Sequence, residues 1–265
     1  MNIIVSIKQV PETSNVKMDE ETGTMIREGI ESIINPLDLY AIEVGIQLKE
    51  AYNGKVSVIT MGPISAEKAL REAISMGCDD GILISGKEFA GSDTWATSYV
   101  LAKVIQKLGK YDLILTGERA TDGDTGQVGP EIASFLDLPL STYTRKIVEI
   151  INKHIVVERL IEDGCEILKM PLPALLSVVK EISYPRLPTL RGKKRSKVVD
   201  IPVWSSKNIE VDKTKLGLNG SPTRVVKITH PKILRKGVVY KANNEMNLNK
   251  AVNRMIEFIN LKGLI

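Results

Sequence analysis

The chain has 265 residues, of which 43% are hydrophobic and 26% are charged, and this allows a substantial globular core. Only 5% of the residues are aromatic, which argues against a stacking surface for single-stranded nucleic acid. The net charge of +4 comes largely from the segment Arg186 to Lys197, so it does not by itself indicate a nucleic-acid partner. No apolar run has the length that a membrane span needs. We expect a soluble, cytoplasmic protein that binds no nucleic acid and has no membrane span.

The first half of the chain alternates strands and helices. Short β-branched runs predict strands, and apolar residues three and four positions apart predict a helix after each strand. Such alternation favours an α/β fold with a parallel sheet and right-handed crossovers. A weaker pattern indicates a hairpin between residues 17–19 and 24–26. The predicted strands cover residues 2–7, 55–60, 81–85 and 111–115, and the predicted helices cover 35–49 (with Asn35 as N-cap), 66–77, 95–108 and 131–136.

The pattern changes after Pro139. Three β-rich runs separated by short turn signals predict an antiparallel meander added to the sheet, and a further apolar run predicts one more core strand. A segment rich in proline, arginine and lysine is then expected to leave the core, and a polar C-terminal part is expected to close with a helix. These features cover residues 143–151, 154–160 and 166–170 (meander), 173–179 (core strand), 184–202 (excursion) and 247–261 (helix).

Residues 116–130 contain the densest candidate binding motif. They follow a predicted strand and lead into a predicted helix, so they form a strand, a loop and a helix start. Glycines allow unusual backbone angles and close approach to a ligand, and the first N–H groups of a helix are free to bind an anion. A phosphate-bearing ligand therefore fits, although composition alone favours a solvated turn rich in Gly and Asp by about two to one. The stretch has neither the Rossmann glycine spacing nor the Walker lysine.

The remaining reactive residues form no catalytic or metal-binding pattern. Cys78 and Cys165 have no CxxC partner and no histidine near them, and structural roles are favoured for His154 and His230. The aspartates of the glycine-rich loop, residues 122 and 124, fit phosphate contact or loop capping better than a metal site. We expect no catalytic side chain and no metal.

Four separated motifs occur in the chain, namely Asn35-Pro36-Leu37-Asp38, Met61-Gly62-Pro63, Met76-Gly77-Cys78-Asp79 and Ala120-Thr121-Asp122-Gly123-Asp124. In this order they resemble the small (beta) subunit of electron-transfer flavoproteins, and the likeness runs from Lys8 to Leu190, nearly the whole chain. The resemblance implies an α/β fold with a parallel nucleotide-binding sheet, of the adenine nucleotide alpha hydrolase-like type, with added antiparallel strands and a C-terminal extension.

The resemblance also implies a division of the chain. Residues 1–183 would form the nucleotide-binding domain and residues 184–202 a partner-recognition loop. Residues 203–265 would form a C-terminal arm that packs on the larger alpha subunit, which carries an FAD of its own. A flavin-dependent dehydrogenase is the partner expected at the recognition loop.

Members of this family differ in the ligand of the small subunit. Ordinary members hold AMP, whereas electron-bifurcating members hold a second FAD and accept electrons from NADH. The glycine at position 123, where AMP-binding relatives tend to have an acidic residue, resembles the bifurcating pattern, as does the segment from Gly91 to Thr97. The resemblance then implies that electrons pass to ferredoxin and, through the alpha-subunit FAD, to a dehydrogenase for an acyl-CoA or a hydroxy acid.

Individual roles carry over from the family by position. Gly62, Pro63 and Arg71 are candidates for contact with NADH, and Leu190 and Arg191 for docking of the dehydrogenase. Leu190 would be an apolar anchor within a collar of cations, namely Arg186, Arg191, Lys193, Lys194, Arg195 and Lys197. The residues implied for FAD, or alternatively AMP, are Ser6, Lys8, Asn35, Asp38, Met61, Asp93, Thr94, Thr97, Thr116, Thr121, Asp122, Gly123, Asp124, Thr125, Gly126, Gln127 and Val128.

Three hypotheses about function remain at this point. The first is the FAD-binding small subunit of a bifurcating flavoprotein, and the second is the AMP-holding subunit of a simple electron carrier. The third is a regulatory domain that binds an adenine nucleotide and has no redox role. The recognition loop speaks against the third, because a free-standing regulator has no evident use for it.

Overall fold

The computed structural model describes residues 1–12, 17–18, 25–26, 31–226 and 237–264. The chain divides into two compact units, Met1–Val226 and Lys227–Ile265. The division expected at residue 203 stays a prediction. No helix within the described ranges combines the length and the hydropathy required to cross a membrane.

The first unit alternates strands and helices as the sequence predicts. Its strands are β1 (Asn2–Ser6), β2 (Gln9–Pro11), β3 (Lys17–Met18), β4 (Met25–Ile26), β5 (Ser32–Ile34), β6 (Lys55–Met61), β7 (Asp80–Ile84), β8 (Leu113–Gly117), β9 (Leu140–Ile151), β10 (His154–Ile161), β11 (Gly164–Pro171), β12 (Ala174–Val178) and β13 (Val203–Trp204). Its helices are α1 (Asp38–Tyr52), α2 (Glu67–Met76), α3 (Thr94–Leu108), α4 (Val128–Leu136), α5 (Leu190–Ser196) and α6 (Gly217–Gly220).

Nine strands form one sheet in the order β11-β10-β9-β12-β8-β1-β6-β7-β13. From β9 to β13 in this order, each strand is parallel to the next. On its other side β9 pairs antiparallel with β10, and β10 with β11, and these three strands form the meander. The expected α/β fold with added antiparallel strands is therefore confirmed. The strand order reverses at β1, because β6 follows it on one side and β8 lies on the other.

Alternating side chains of each central strand enter two separate cores. In β1, Ile3 and Val5 pack with α1 and α2, whereas Ile4 packs with α3 and α4 on the opposite face. Both faces are covered, which explains why these strands are continuous apolar runs. Burial of each such side chain contributes about 1.5–3 kcal/mol.

Several local predictions differ from the structure. After β1 the structure has two short strands that were not predicted, since β2 pairs with β5 in a small antiparallel ladder. Helix α1 begins at Asp38 with Leu37 as its N-cap, so the expected capping role of Asn35 is wrong. Strands β3 and β4 pair antiparallel as predicted, and the turn between them lies outside the described residues.

The second unit contains helix α7 (Glu245–Leu261), close to the predicted range. Its N-cap is Asn244, whose side-chain oxygen accepts a hydrogen bond from the amide of Asn247 at 2.9 Å. None of its residues is buried, and large apolar side chains such as Met255 and Phe258 are exposed.

The segment 184–202 is not the loose excursion that its composition indicated. It contains α5, which packs on α2, and it is fixed to α1 by Arg186. The Arg186 guanidinium donates to Glu43 at 2.8 and 3.0 Å and to Glu50 at 2.6 and 3.1 Å. Burial by itself raises the pKa of Glu43, but hydrogen bonds from Arg186 and Gln47 outweigh it and hold that pKa below its ordinary value.

We predict that Arg186→Met lowers the stability of the fold by about 2 kcal/mol, a fall in Tm of roughly 4–8 °C, because it leaves the buried Glu43 carboxylate without its cation. A carboxyl with a lowered pKa stabilises the fold above its unfolded value of 4.5, and this stabilisation is lost as the pH falls through the folded-state value. The Tm difference measured by calorimetry should therefore shrink below pH 4.5.

The matched control is Arg145→Met, which removes an exposed cation of β9. It should leave Tm nearly unchanged. Equal effects of the two substitutions would contradict the importance of the buried pair.

Candidate functional site

The candidate site lies at the carboxyl edge of the sheet, where β1 and β8 are neighbours. In parallel α/β sheets, ligands bind at the carboxyl edge where the strand order reverses. Here Ser6 of β1 is in register with Thr116 of β8, and Thr116 is in register with Ser177 of β12. Loops from three separate parts of the chain therefore converge on one crevice.

Ser6, Thr116 and Ser177 form a row of buried hydroxyl residues on the face that carries α3 and α4. The Thr116 Oγ1 atom is buried and has no hydrogen-bond partner within the described residues. A Cβ atom placed on Gly129 would lie only 2.7 Å from Thr116 Oγ1, so the first turn of α4 lies directly against this hydroxyl. Ser177 was not predicted, although its place at the end of a predicted strand was a usable signal.

The glycine-rich loop, residues 118–127, connects β8 to α4. Thr121 to Asp124 are exposed, Asp124 has φ 54° and Gly126 has φ 64°. The amides of Gly123 and Asp124 donate to the Ala120 carbonyl at 3.3 and 2.7 Å. The amides of Thr125, Gly126 and Gln127, just before α4, donate to no acceptor within the described residues.

Glycine at position 123 is not required by the chain itself. Gly123 is outside the left-handed region, and a Cβ atom there would meet nothing within 4 Å. The position faces open space, so no contact within the described chain requires glycine there.

Asn35 and Lys8 connect the loops around the crevice. The buried Asn35 amide donates to the Arg119 carbonyl at 2.9 Å and accepts from the Thr121 amide at 3.1 Å. The Lys8 ammonium pairs with Asp122 at 2.7 Å. Asn35 therefore holds the glycine-rich loop, and this task replaces its expected capping role.

Asp38 is buried at the start of α1. Its Oδ2 atom accepts a hydrogen bond from the Lys8 amide at 2.7 Å. Burial raises the pKa of Asp38 from 3.8 to about 7, against hydrogen bonds from Lys8, Asn35 and Gly117. A Cβ atom on Gly117 would lie 2.4 Å from Asp38 Oδ1, so glycine is needed where β8 meets this carboxyl.

The start of α3 borders the same crevice. The Thr94 hydroxyl contacts Gln127 Oε1 and Glu131 Oε1, both at 3.2 Å, and this places α3 beside α4. Asp93 caps α3 through the Ala96 amide at 3.0 Å, and its other oxygen accepts from Thr223 at 2.7 and 2.9 Å. Burial opposes the charge of Asp93, but these bonds outweigh it and lower the pKa. The half-buried Thr97 lies one turn further along α3.

The NADH candidates lie after β6 and within α2. Met61 ends β6, Gly62 follows it, and the exposed Pro63 leads into the turn before α2. Arg71 lies in the middle of α2, and its guanidinium binds Glu67 and the main chain at the end of α5. Its role in NADH binding stays a prediction.

Leu190 begins α5 and is 89% exposed, and Arg191 beside it is exposed too. The predicted collar of six cations around Leu190 is smaller in the structure. Arg186 is engaged with α1, and Arg195 donates to the carbonyls of Cys78 and Asp79. The cations left exposed are Arg191, Lys193, Lys194 and Lys197.

Tyr143 is a residue near the site that the sequence did not indicate. It has φ 52°, unusual for a bulky side chain, at an irregularity of β9. Its hydroxyl lies 3.9 Å from the position of a Cβ atom on Gly126. The irregular part of β9 that carries Tyr143 is held by a 2.9 Å hydrogen bond between the buried hydroxyls of Ser141 and Thr144.

The other candidate reactive residues have structural surroundings. Cys78 is buried, and burial raises the pKa of its thiol to about 12. His154 begins β10, where its Nδ1 atom lies 2.9 Å from the Asn152 carbonyl oxygen. His230 lies outside the described residues. In the part of the chain that the structure describes, no group of three or more His, Cys, Asp or Glu could hold a metal ion.

Comparison with known proteins identifies the class to which this fold and edge site belong. The model of the electron transfer flavoprotein domain matches residues 22–206. The chain therefore belongs to the electron transfer flavoprotein family.

Named relatives of the chain specify its place in that family. It is 46% identical, over the whole of both chains, to the electron transfer flavoprotein subunit beta of Thermoanaerobacterium thermosaccharolyticum. It is 45% identical to the caffeyl-CoA reductase-Etf complex subunit CarD of Acetobacterium woodii, over 87% of this chain and 88% of that protein. It is 43% identical to protein FixA of Azotobacter vinelandii, over 88% and 85%. This chain is a beta subunit with a role in electron transfer, and a beta subunit implies an alpha partner.

We predict that the effect of Asp38→Asn on the free energy of unfolding is more favourable to folding at pH 8 than at pH 5. The folded-state pKa of about 7 lies above the unfolded value of 3.8, so the wild type loses stability as the pH rises from 3.8 to about 7. In this range the free energy of unfolding of the wild type falls by at most about 1.4 kcal/mol per pH unit. The variant cannot titrate at this position, so it lacks this dependence. Calorimetry at the two pH values measures the difference.

Asp163→Asn makes the same change in an exposed turn and is the control. A Tm difference for Asp38→Asn that does not vary with pH would contradict the assigned pKa.

Proposed function

We propose that this chain is the FAD-holding small subunit of a heterodimeric, electron-bifurcating flavoprotein. The complex would take electrons from NADH and divide them between ferredoxin and, through the alpha-subunit FAD, a partner dehydrogenase for an acyl-CoA or a hydroxy acid. AMP in place of FAD is the competing outcome, and it would make the chain a structural subunit of a simple electron carrier.

The unpartnered Thr116 hydroxyl is the observation that carries the nucleotide site. A buried hydroxyl without a partner costs about 1–3 kcal/mol, so its position calls for a polar ligand group. It lies against the first turn of α4, whose N-terminus favours a negative charge. A phosphate oxygen satisfies both requirements.

The residues around the crevice fit a dinucleotide. The hydroxyl of Thr116 and the amides of Thr125 to Gln127 would hold the pyrophosphate, and Ser6 and Lys8 would lie on the adenosine side. The open space at Gly123 supports the larger of the two ligands, because a side chain at that position meets no part of the protein. When bound, FAD supplies the redox chemistry, and the chain orients it and excludes water.

The bifurcating type is supported by similarity rather than by geometry. One relative bears the name of a subunit of a caffeyl-CoA reductase-Etf complex, so that relative works with a CoA-ester reductase. The glycine at position 123 agrees with the same type.

We also propose that the C-terminal arm, residues 203–265, packs on the alpha subunit. Helix α7 supports this, because its Met255 and Phe258 side chains are exposed and such apolar surface usually marks an interface.

We predict that Thr116→Val lowers the affinity of the beta subunit for its nucleotide about tenfold, since it removes one hydrogen bond to a charged group. The variant should fold at least as well as the wild type, because the lost hydroxyl has no partner in the described chain. Release of nucleotides from the purified heterodimer, followed by chromatography, measures the beta-subunit ligand. The alpha-subunit FAD is the internal control.

Full nucleotide content in Thr116→Val after extensive dialysis would contradict the role of the hydroxyl. Loss of both flavins would indicate a structural effect and would equally refute a specific role.

We predict that Leu190→Ala lowers kcat/KM for the partner dehydrogenase about tenfold and leaves NADH oxidation by an artificial acceptor unchanged. The exposed Leu190 would fill a pocket of the partner, with Arg191 beside it as a positive rim. Ile167→Ala on β11 is the control, because Ile167 is also apolar and 68% exposed. Equal losses in both assays, or equal losses for the two variants, would count against docking at Leu190.

A further inference from the structure

The docking segment, residues 184–202, carries arginines that face the protein as well as cations that face solvent. Helix α5 has seven residues, too few to be stable by itself in water. Its orientation must therefore come from contacts with the rest of the unit. These contacts are made mainly with α2.

The first contact is a close approach between the two helices. A Cβ atom on Gly192 would lie 2.0 Å from the Ser75 carbonyl oxygen, which no side chain could tolerate. Thr189 caps α5 by accepting a hydrogen bond from the Gly192 amide at 2.9 Å. Glycine at this position lets the first turn of α5 lie against the end of α2.

Two arginines then join the helix ends in opposite directions. Arg195 of α5 donates to the carbonyls of Cys78 and Asp79, which follow the end of α2. Arg71 of α2 donates to the carbonyl of Ser196 and, at 3.4 Å, to that of Val199, at the end of α5. Ser196 is the last residue of α5, so its carbonyl has no partner within the helix, and a cation beside it interacts favourably with the negative end of the helix dipole.

We propose that Arg71 and Arg195 form a reciprocal clasp that positions α5 for partner docking. The proposal rests on the docking role of Leu190. The clasp contacts the part of α5 that faces the protein. Four residues of α5 stay exposed, namely Leu190, Arg191, Lys193 and Lys194. A pre-oriented helix loses less conformational entropy on binding than a free segment would.

The clasp depends on the fork of the guanidinium group. Arg195 contacts two carbonyl oxygens through its two terminal nitrogens. Arg71 contacts two carbonyl oxygens through Nη1 and binds Glu67 through Nε and Nη2. A lysine ammonium is a point charge and cannot reproduce either arrangement. Arg195→Lys therefore breaks the clasp and preserves the net charge of the segment. Long-range attraction of an acidic partner should be unchanged.

The test measures hydrogen exchange and docking in the heterodimer of Arg195→Lys. We expect exchange of the α5 amides about tenfold faster than in the wild type, with exchange in β8 unchanged. We expect KM for the dehydrogenase to rise about three- to tenfold, with NADH oxidation by an artificial acceptor unchanged and with the same dependence on ionic strength. Arg71→Lys should accelerate the same amides.

Arg145→Lys is the control, because it makes the same change at an exposed cation of β9. Unchanged exchange in α5 for both clasp variants would overturn the clasp. Faster exchange with an unchanged KM, in a protein where Leu190→Ala does raise KM, would overturn the positioning role. If Leu190→Ala also leaves KM unchanged, the docking function itself fails, and the positioning role fails with it.

Discussion

The neighbouring positions of β1 and β8 are the constraint on which the candidate site depends. Their carboxyl ends place Ser6 and Thr116 side by side, and the loops that follow them meet over the crevice. Asn35 makes this arrangement rigid, because one buried amide binds both Arg119 and Thr121 of the glycine-rich loop. Helix α4 then begins beside a hydroxyl that has no other partner in the described chain. The proposed phosphate site depends on this strand order and on these few polar contacts.

Much of the fold could be predicted from periodicity, because the central strands are buried on both faces and the helices have one apolar side. The antiparallel meander was equally clear from its turn residues. Long-range polar contacts were not. Asn35 precedes a proline and so resembled a helix cap, yet its partners lie 84 and 86 residues further along the chain. Tyr143 left no signal, since its backbone angle and its place near Gly126 depend on the folded sheet.

The docking segment shows how charge can mislead when it is counted along a sequence. Six cations near Leu190 resembled one solvent-facing collar. Arg186 and Arg195 instead bind a buried carboxylate and main-chain carbonyls, because a guanidinium can satisfy several acceptors at once. The sequence alone could not distinguish these two arginines from the cations that are exposed. In the structure these two arginines hold the segment, and the other cations stay exposed.

The most direct test of the central claim is the cofactor content of the wild-type heterodimer, followed by anaerobic addition of NADH. The proposed function predicts two FAD per heterodimer, and bleaching of the flavin absorbance by NADH. One FAD with one AMP, and no response to NADH, would contradict it and would make this chain the structural subunit of a simple electron carrier.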